Sequence, residues 1–266
     1  MSRPLIRIDD PDDPRIAAYR DIRERDLVGR QGRFVAEGKV VLNVLFSTSR
    51  FAAESVLLLE NRTAGMEDLL ARVPENVPVY IASSAVIDAI AGFHMHRGVL
   101  AIGLRGEAES AETLIARLPD RALVVALGGI ANHDNMGAIF RNAAAFGADA
   151  VLLDSDCCDP LYRKAIRVSV GAALKIPFAK GGSASSLIGA LEAGGFEVLA
   201  LSPGGRREIG SIERAPRTAL LLGTEGPGLS AELLQRLPSV RIAMREDFDS
   251  LNVAAATAIA LHRLWR

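Results

Sequence analysis

ALVVALGGIANHDNMGAIFRNAAAFGADAVLLD, residues 122–154, is the stretch that decides the fold. ALVVAL (122–127) is a continuous apolar run of strand length. NMGAIFRNAAAFGA (135–148) then changes to helical periodicity, with Met136, Ile139, Phe140 and Ala143 on one face. Asn135 is a natural N-cap for that helix and Gly147 a natural stop. AVLLD (150–154) returns to strand. Strand, helix and a second, largely apolar strand read as part of a parallel sheet covered on both faces.

The same alternation runs on to the end of the chain. LKIPFA (174–179), FEVLAL (196–201), TALLLG (218–223) and VRIAM (240–244) read as further buried strands, most of them at crossover-helix spacing. Ligands of such sheets bind beyond the carboxyl ends of the strands, and the Gly-rich and Asn-rich turns fall there. Upstream, RFVAEG (33–38), SVLLL (55–59), VPVYIA (77–82) and VLAIGL (99–104) read as strands, with helical patterns near 39–47, 65–73 and 84–91. That is a smaller α/β layer domain. The charged segment 105–121, with helix formers at its centre, joins the two. The expected division is 1–104, a linker 105–121, and 122–266.

Composition excludes several classes. In 266 residues, 49% are hydrophobic and 24% charged, enough to bury a core and too apolar for disorder. The apolar runs fall far short of the ~20 residues of a membrane span. No basic-then-apolar leader is recognised at the start, so a cytoplasmic protein is expected. Cys157 and Cys158 are adjacent, which suits neither a disulfide nor a zinc site, and they read as structural thiols. His94, His96, His133 and His262 lack ligand spacing, so no metal is expected. Net charge is −1, which argues against binding nucleic acid by bulk charge but leaves room for local basic faces. Residues 161–182 carry Arg163, Lys164, Arg167, Lys175 and Lys180 and no acid, and an Arg-rich stretch opens the first domain. The turn after ALVVAL is GGIANHDNMG, not G-x-G-x-x-G, and no P-loop occurs, so phosphate-cradling cofactors lose their usual seat.

Three segments carry candidate chemistry. On the helix of 135–147 Arg141 lies nearly opposite the apolar face and points to solvent or a cleft. LLLGTEGPGLS (220–230) ends a buried strand in a turn with three glycines around Glu225, which lets backbone approach a ligand; Ser230 reads as the cap of the next helix. RIAMREDFDSLNVAAATAIALHRLWR (241–266) runs from strand through a turn into an alanine-rich helix, with Ser250 as expected N-cap and Asn252 in the first turn.

In this order, the three segments resemble the signature motifs of the SpoU/TrmH branch of the SPOUT methyltransferases. The resemblance rests on Asn135, Gly137, Arg141 and Gly147; on Gly223, Glu225, Gly226, Gly228 and Leu229; and on Ile242, Met244, Ser250, Leu251, Asn252 and Val253. IRVSVGAALKIPF (166–178) resembles the family's R-x-S-x-G segment. FVAEGKVVLNVLF (34–46) and HMHRGVLA (94–101) resemble the two ends of its ribosomal-protein-like RNA-binding domain. Ala243, Glu246 and Ala254 depart from the usual Pro, Gly and Ser.

The resemblance implies an α/β fold: a small N-terminal RNA-binding domain and a C-terminal SPOUT domain with a trefoil knot. It implies methylation of a ribose 2′-hydroxyl from S-adenosylmethionine, without metal, in a homodimer whose cleft draws on both subunits. The first domain points to ribosomal RNA, with transfer RNA the alternative. Asn135, Arg141, Glu225 and Asn252 become the implied catalytic set. Leu201, Gly223, Gly228, Ile242, Met244 and Leu251 become the implied cofactor seat. A guanidinium stays charged near neutrality, so Arg141 reads first as a positioner of phosphate or hydroxyl. The competing reading is a non-catalytic RNA-binding or ribosome-assembly protein with a decayed methyltransferase fold, which the three departures favour.

Overall fold

The computed structural model describes residues 4–20, 31–91, 98–245 and 247–265. The Arg-rich stretch at 21–30, His94, His96, Arg97 and Glu246 lie outside the described residues. The strands are β1 (Ile6–Ile8), β2 (Arg33–Glu37), β3 (Ala52–Leu59), β4 (Val79–Ala82), β5 (Val99–Leu104), β6 (Ala122–Leu127), β7 (Ala150–Leu153), β8 (Phe178–Lys180), β9 (Glu197–Leu201), β10 (Arg207–Glu208), β11 (Arg217–Leu222) and β12 (Ser239–Arg241). The helices are α1 (Lys39–Ser47), α2 (Glu67–Leu70), α3 (Ser84–Ala91), α4 (Ala111–Ala116), α5 (His133–Ala145), α6 (Arg163–Val168), α7 (Ala172–Lys175), α8 (Ala184–Ala193), α9 (Ala231–Arg236) and α10 (Val253–Leu264).

The chain forms two compact units. One holds residues up to 107 together with 161–175; the other holds 108–160 and 176–266. The first contains a mixed sheet in the order β1-β4-β3-β5-β2, with β5 antiparallel to both β2 and β3. Its core joins Ile16, Tyr19, Val35, Leu57 and Leu100. The buried Tyr19 hydroxyl shares a hydrogen bond of 2.8 Å with Ser55.

The second unit contains an all-parallel sheet in the order β10-β12-β9-β11-β6-β7-β8. Every residue of β6 is buried. Ala122, Val124 and Ala126 join the core under α4 and α8, while Leu123, Val125 and Leu127 face the other way and are buried too. That two-sided burial is why ALVVAL shows no alternation. No helix among the described residues is long and apolar enough to cross a membrane.

Several local expectations need correction. Asn132, not Asn135, caps α5, its side chain accepting from the amides of Asp134 and Asn135 at 2.8 and 3.3 Å. Gly147 follows the helix at φ +65, a backbone that glycine adopts without a Cβ penalty. Asn252, not Ser250, caps α10. Ser230 does cap α9. LKIPFA divides: Leu174 and Lys175 end α7, and the strand begins only at Phe178. Residues 161–175 pack with the first unit, although their neighbours on both sides belong to the second. The middle of 105–121 is α4, which packs on α8 and β8 of the second unit.

Candidate functional site

The carboxyl ends of β9, β11 and β12 open into one cleft of about 330 Å³ within the second unit. It gathers Asn135, Leu201, Gly223, Glu225, Gly228, Ile242, Met244, Leu251 and Asn252, nine of the ten residues singled out from the sequence. They come from four chain segments and meet because parallel strands deliver every such turn to the same edge of the sheet. Arg141 is the exception: it is exposed and does not line the cleft.

The floor is built by glycine. A Cβ on Gly223 would stand 2.5 Å from the Gly228 carbonyl carbon and the Leu229 amide nitrogen, so only hydrogen fits there. Gly226 and Gly228 sit at φ +99 and +71. The Thr224 hydroxyl donates to the Gly228 carbonyl at 3.1 Å, and the Gly228 amide donates to the Thr224 carbonyl at 3.2 Å, pinching the turn shut at its neck.

One wall is a relay of side chains. The Asn252 carbonyl oxygen accepts from the amides of Ala254 and Ala255 at 2.9 and 3.3 Å. With its oxygen so engaged, its amide nitrogen donates to the Asn135 oxygen at 2.9 Å. Asn135 in turn donates to the Glu225 carboxylate. Cap, amide and acid thus hold the segments 241–266, 135–148 and 220–230 in one line. Asn142 adds a second tie between α5 and α10, donating to the Ala254 carbonyl at 2.8 Å. Ala254 itself is buried, and Ala243 is exposed off the cleft.

Glu225 is the only charged residue lining the cleft among the described residues. No group of three His, Cys, Asp or Glu among them could hold a metal. The loop that enters α5 is held from below by Asp154, 5% exposed, whose carboxylate accepts from Gly129 at 3.0 and 3.1 Å and from Cys157 at 3.0 Å. Burial pushes the Cys157 and Cys158 thiols up to about 12. Sequence reading missed Asp154, and also Ser202, Pro203 and Thr224 in the lining. Ser202 and Pro203 directly follow the FEVLAL strand, so the strand-end rule would have found them.

Residues 122–262 match the SpoU rRNA Methylase family. The chain belongs to that family. It is a SpoU-family RNA methyltransferase, with the α/β architecture of the SPOUT enzymes. An uncharacterized tRNA/rRNA methyltransferase of Mycobacterium bovis is 39% identical over 97% of this chain and 90% of its own. An AdoMet-bound rRNA methyltransferase from Sinorhizobium meliloti is 25% identical, with TM-score 0.80 over 98% of this chain and 97% of that one. A structure concerned with 2-OH methylation of C/U34 on tRNA is 26% identical, with TM-score 0.51 over 56% of this chain and 97% of that one.

Proposed function

We propose that this protein methylates a ribose 2′-hydroxyl of structured RNA, ribosomal before transfer RNA, with S-adenosylmethionine as donor and as a homodimer. The observation that carries the reading is the cleft itself. Its glycine floor admits close backbone contact, and its one charge among the described residues is an acid. A nucleotide phosphate would meet repulsion from Glu225; a sulfonium or ammonium group would not. Leu201, Gly223, Gly228, Ile242, Met244 and Leu251 would hold the donor, and the S. meliloti relative carries AdoMet.

The donor, when bound, supplies a methyl group on a positively charged sulfur. The chain's own residues must bring the hydroxyl oxygen in line with it and accept a proton. The Asn252–Asn135–Glu225 line keeps the far wall of the cleft fixed while RNA enters, so that the substrate meets a preformed surface. Arg141, exposed on α5, is available to a phosphate or ribose. It lies off the cleft of its own chain, which is the arrangement a site shared between two subunits requires. Ile259 and Trp265, 43% and 53% exposed on and just after α10, are apolar surface that a second copy would cover.

The ribose reading follows the SpoU/TrmH motifs and the 2-OH chemistry of the 26% identical relative. Titration calorimetry tests the donor. S-adenosylmethionine and its demethylated product are expected to bind with micromolar-scale affinity, roughly −8 kcal/mol. Absence of heat with either would favour the decayed-fold alternative.

A further inference from the structure

Residues 161–175 belong by sequence to the methyltransferase half and by packing to the first unit. Their anchor is a buried ion pair. Arg163 donates to the Glu37 carboxylate at 3.0 Å through Nε and lies 2.9 Å from it through a terminal nitrogen, the two side chains being only 15% and 6% exposed. Glu37 ends β2, and Gly171 sits against Val41 and Val44 of α1. Beside Arg163 the segment carries Lys164, Arg167 and Lys175, all exposed, and no acid. Lys164 and Arg167 are three residues apart on α6 and share its outer face, while Ala165 and Ile166 between them are buried.

Between these cations the chain is bent in an unusual way. Val170 is the one non-glycine residue at positive φ (+54) among the described residues, and it is 38% exposed. A β-branched side chain is strained there, where glycine would be at ease. The bend is held by the Gly171 amide donating to Ile166 and by Ser169, buried at 1%, whose hydroxyl donates to Ile166 and accepts from Ala173. The sequence keeps an apolar residue at a glycine position, on the outside, beside three cations.

We propose that α6, the Val170 bend and Lys175 form an RNA-docking face of the first unit. The cations contact phosphates and Val170 packs on a ribose or base. The first unit is then completed by a segment supplied from the methyltransferase half of the chain. This rests on the RNA methyltransferase reading. Charge complementarity selects the partner: three cations without an acid in fifteen residues suit a phosphodiester backbone, within a chain of net charge −1.

The test uses the full-length protein, purified ribosomal RNA and bulk transfer RNA, with binding followed as a function of salt. A triple Lys164→Ala, Arg167→Ala, Lys175→Ala variant should lose at least about tenfold in affinity. Its plot of log affinity against log salt should flatten by about 0.7–0.9 for each phosphate contact removed. Its melting temperature and S-adenosylmethionine affinity should match the wild type. Val170→Gly adds a readout of opposite sign: relief of strain holds or raises the melting temperature, while RNA affinity falls. Wild-type affinity and slope in the triple variant, or unchanged RNA affinity in Val170→Gly, would overturn the face and leave the function reading intact. Wild-type protein that bound neither RNA would overturn both.

Discussion

Asn135 and Arg141 stand six residues apart on one helix, and the molecule uses them in opposite ways. Six residues of α-helix separate two side chains by about 9 Å along the axis and roughly 120° around it. Asn135 faces inward and is bonded on both sides, to Asn252 and to Glu225. Arg141 is exposed and makes no ion pair with the described residues. The difference teaches that one helix can serve a wall closed by its own chain's hydrogen bonds at Asn135 and leave a guanidinium exposed away from it at Arg141. A preorganised wall needs its hydrogen bonds before substrate arrives; under the proposed function, Arg141 would keep its donors open for RNA.

The largest expected effect breaks or keeps that contrast at once. Arg141→Ala should lower the single-turnover methyl-transfer rate by at least about a hundredfold, the scale of one well-placed charged donor, while donor affinity and melting temperature stay put. Arg141→Lys should fail nearly as badly, because an ammonium lacks the planar fork. Near-normal turnover with a lower melting temperature would make Arg141 structural.

A complementation experiment sharpens the contrast further. Gly223→Ala should abolish donor binding, since its methyl would overlap the Gly228 backbone. Arg141→Ala should bind donor but not turn over. If each cleft uses its own floor and the partner's arginine, co-expressed Gly223→Ala and Arg141→Ala chains should regain about a quarter of wild-type activity, from the one complete site in each mixed dimer. No recovery in demonstrated mixed dimers would place the whole site in one chain.

Asn252→Ala is expected to show a smaller, double effect. Loss of the α10 cap should cost about 1 kcal/mol of stability. Loss of its amide should free Asn135 and Glu225, weakening donor affinity as well as turnover. A melting shift without any change in donor affinity would mean that the relay serves the helix alone.

What the sequence made legible, and what it hid, follows the range of the forces involved. The two-sided burial of β6, β7 and β11 leaves unbroken apolar runs, so the parallel sheet could be read directly. The cleft could be read because parallel strands put all their carboxyl-end turns on one side. The α5 cap could not be placed: Asn132 and Asn135 are equally good caps locally, and Asn135 is claimed by Glu225, ninety residues on in the chain. LKIPFA misled because Leu174 is buried as a helical residue, and a short apolar run does not declare its period. The attachment of 161–175 to the first unit depends on Glu37 meeting Arg163 across 126 positions, which no local pattern records. β10, two exposed residues at the sheet edge, carries no apolar signal at all.

The smallest expected effect concerns Cys157, beneath the loop that positions α5. Its thiol is pushed up to about 12 by burial, so the folded protein keeps its proton where the unfolded chain releases it. Between the ordinary thiol range and about 12 the unfolded state binds fewer protons, and stability therefore falls as pH rises. Below that window the contribution is fully present. Melting curves of wild type and Cys157→Ala from pH 8 to pH 11 should converge as pH rises; parallel curves would deny the linkage. Alkylation of Cys157 at neutral pH should be slow in the folded protein.

The product of the reaction distinguishes ribose from base methylation. Purified protein is to be incubated with methyl-labelled S-adenosylmethionine and, in separate reactions, ribosomal RNA and bulk transfer RNA, and the RNA digested to nucleosides. Label is expected in a 2′-O-methylated nucleoside with the wild type and is expected to be absent with Arg141→Ala. Label on a base, or none in either RNA class from protein that binds the donor, would contradict the proposed function.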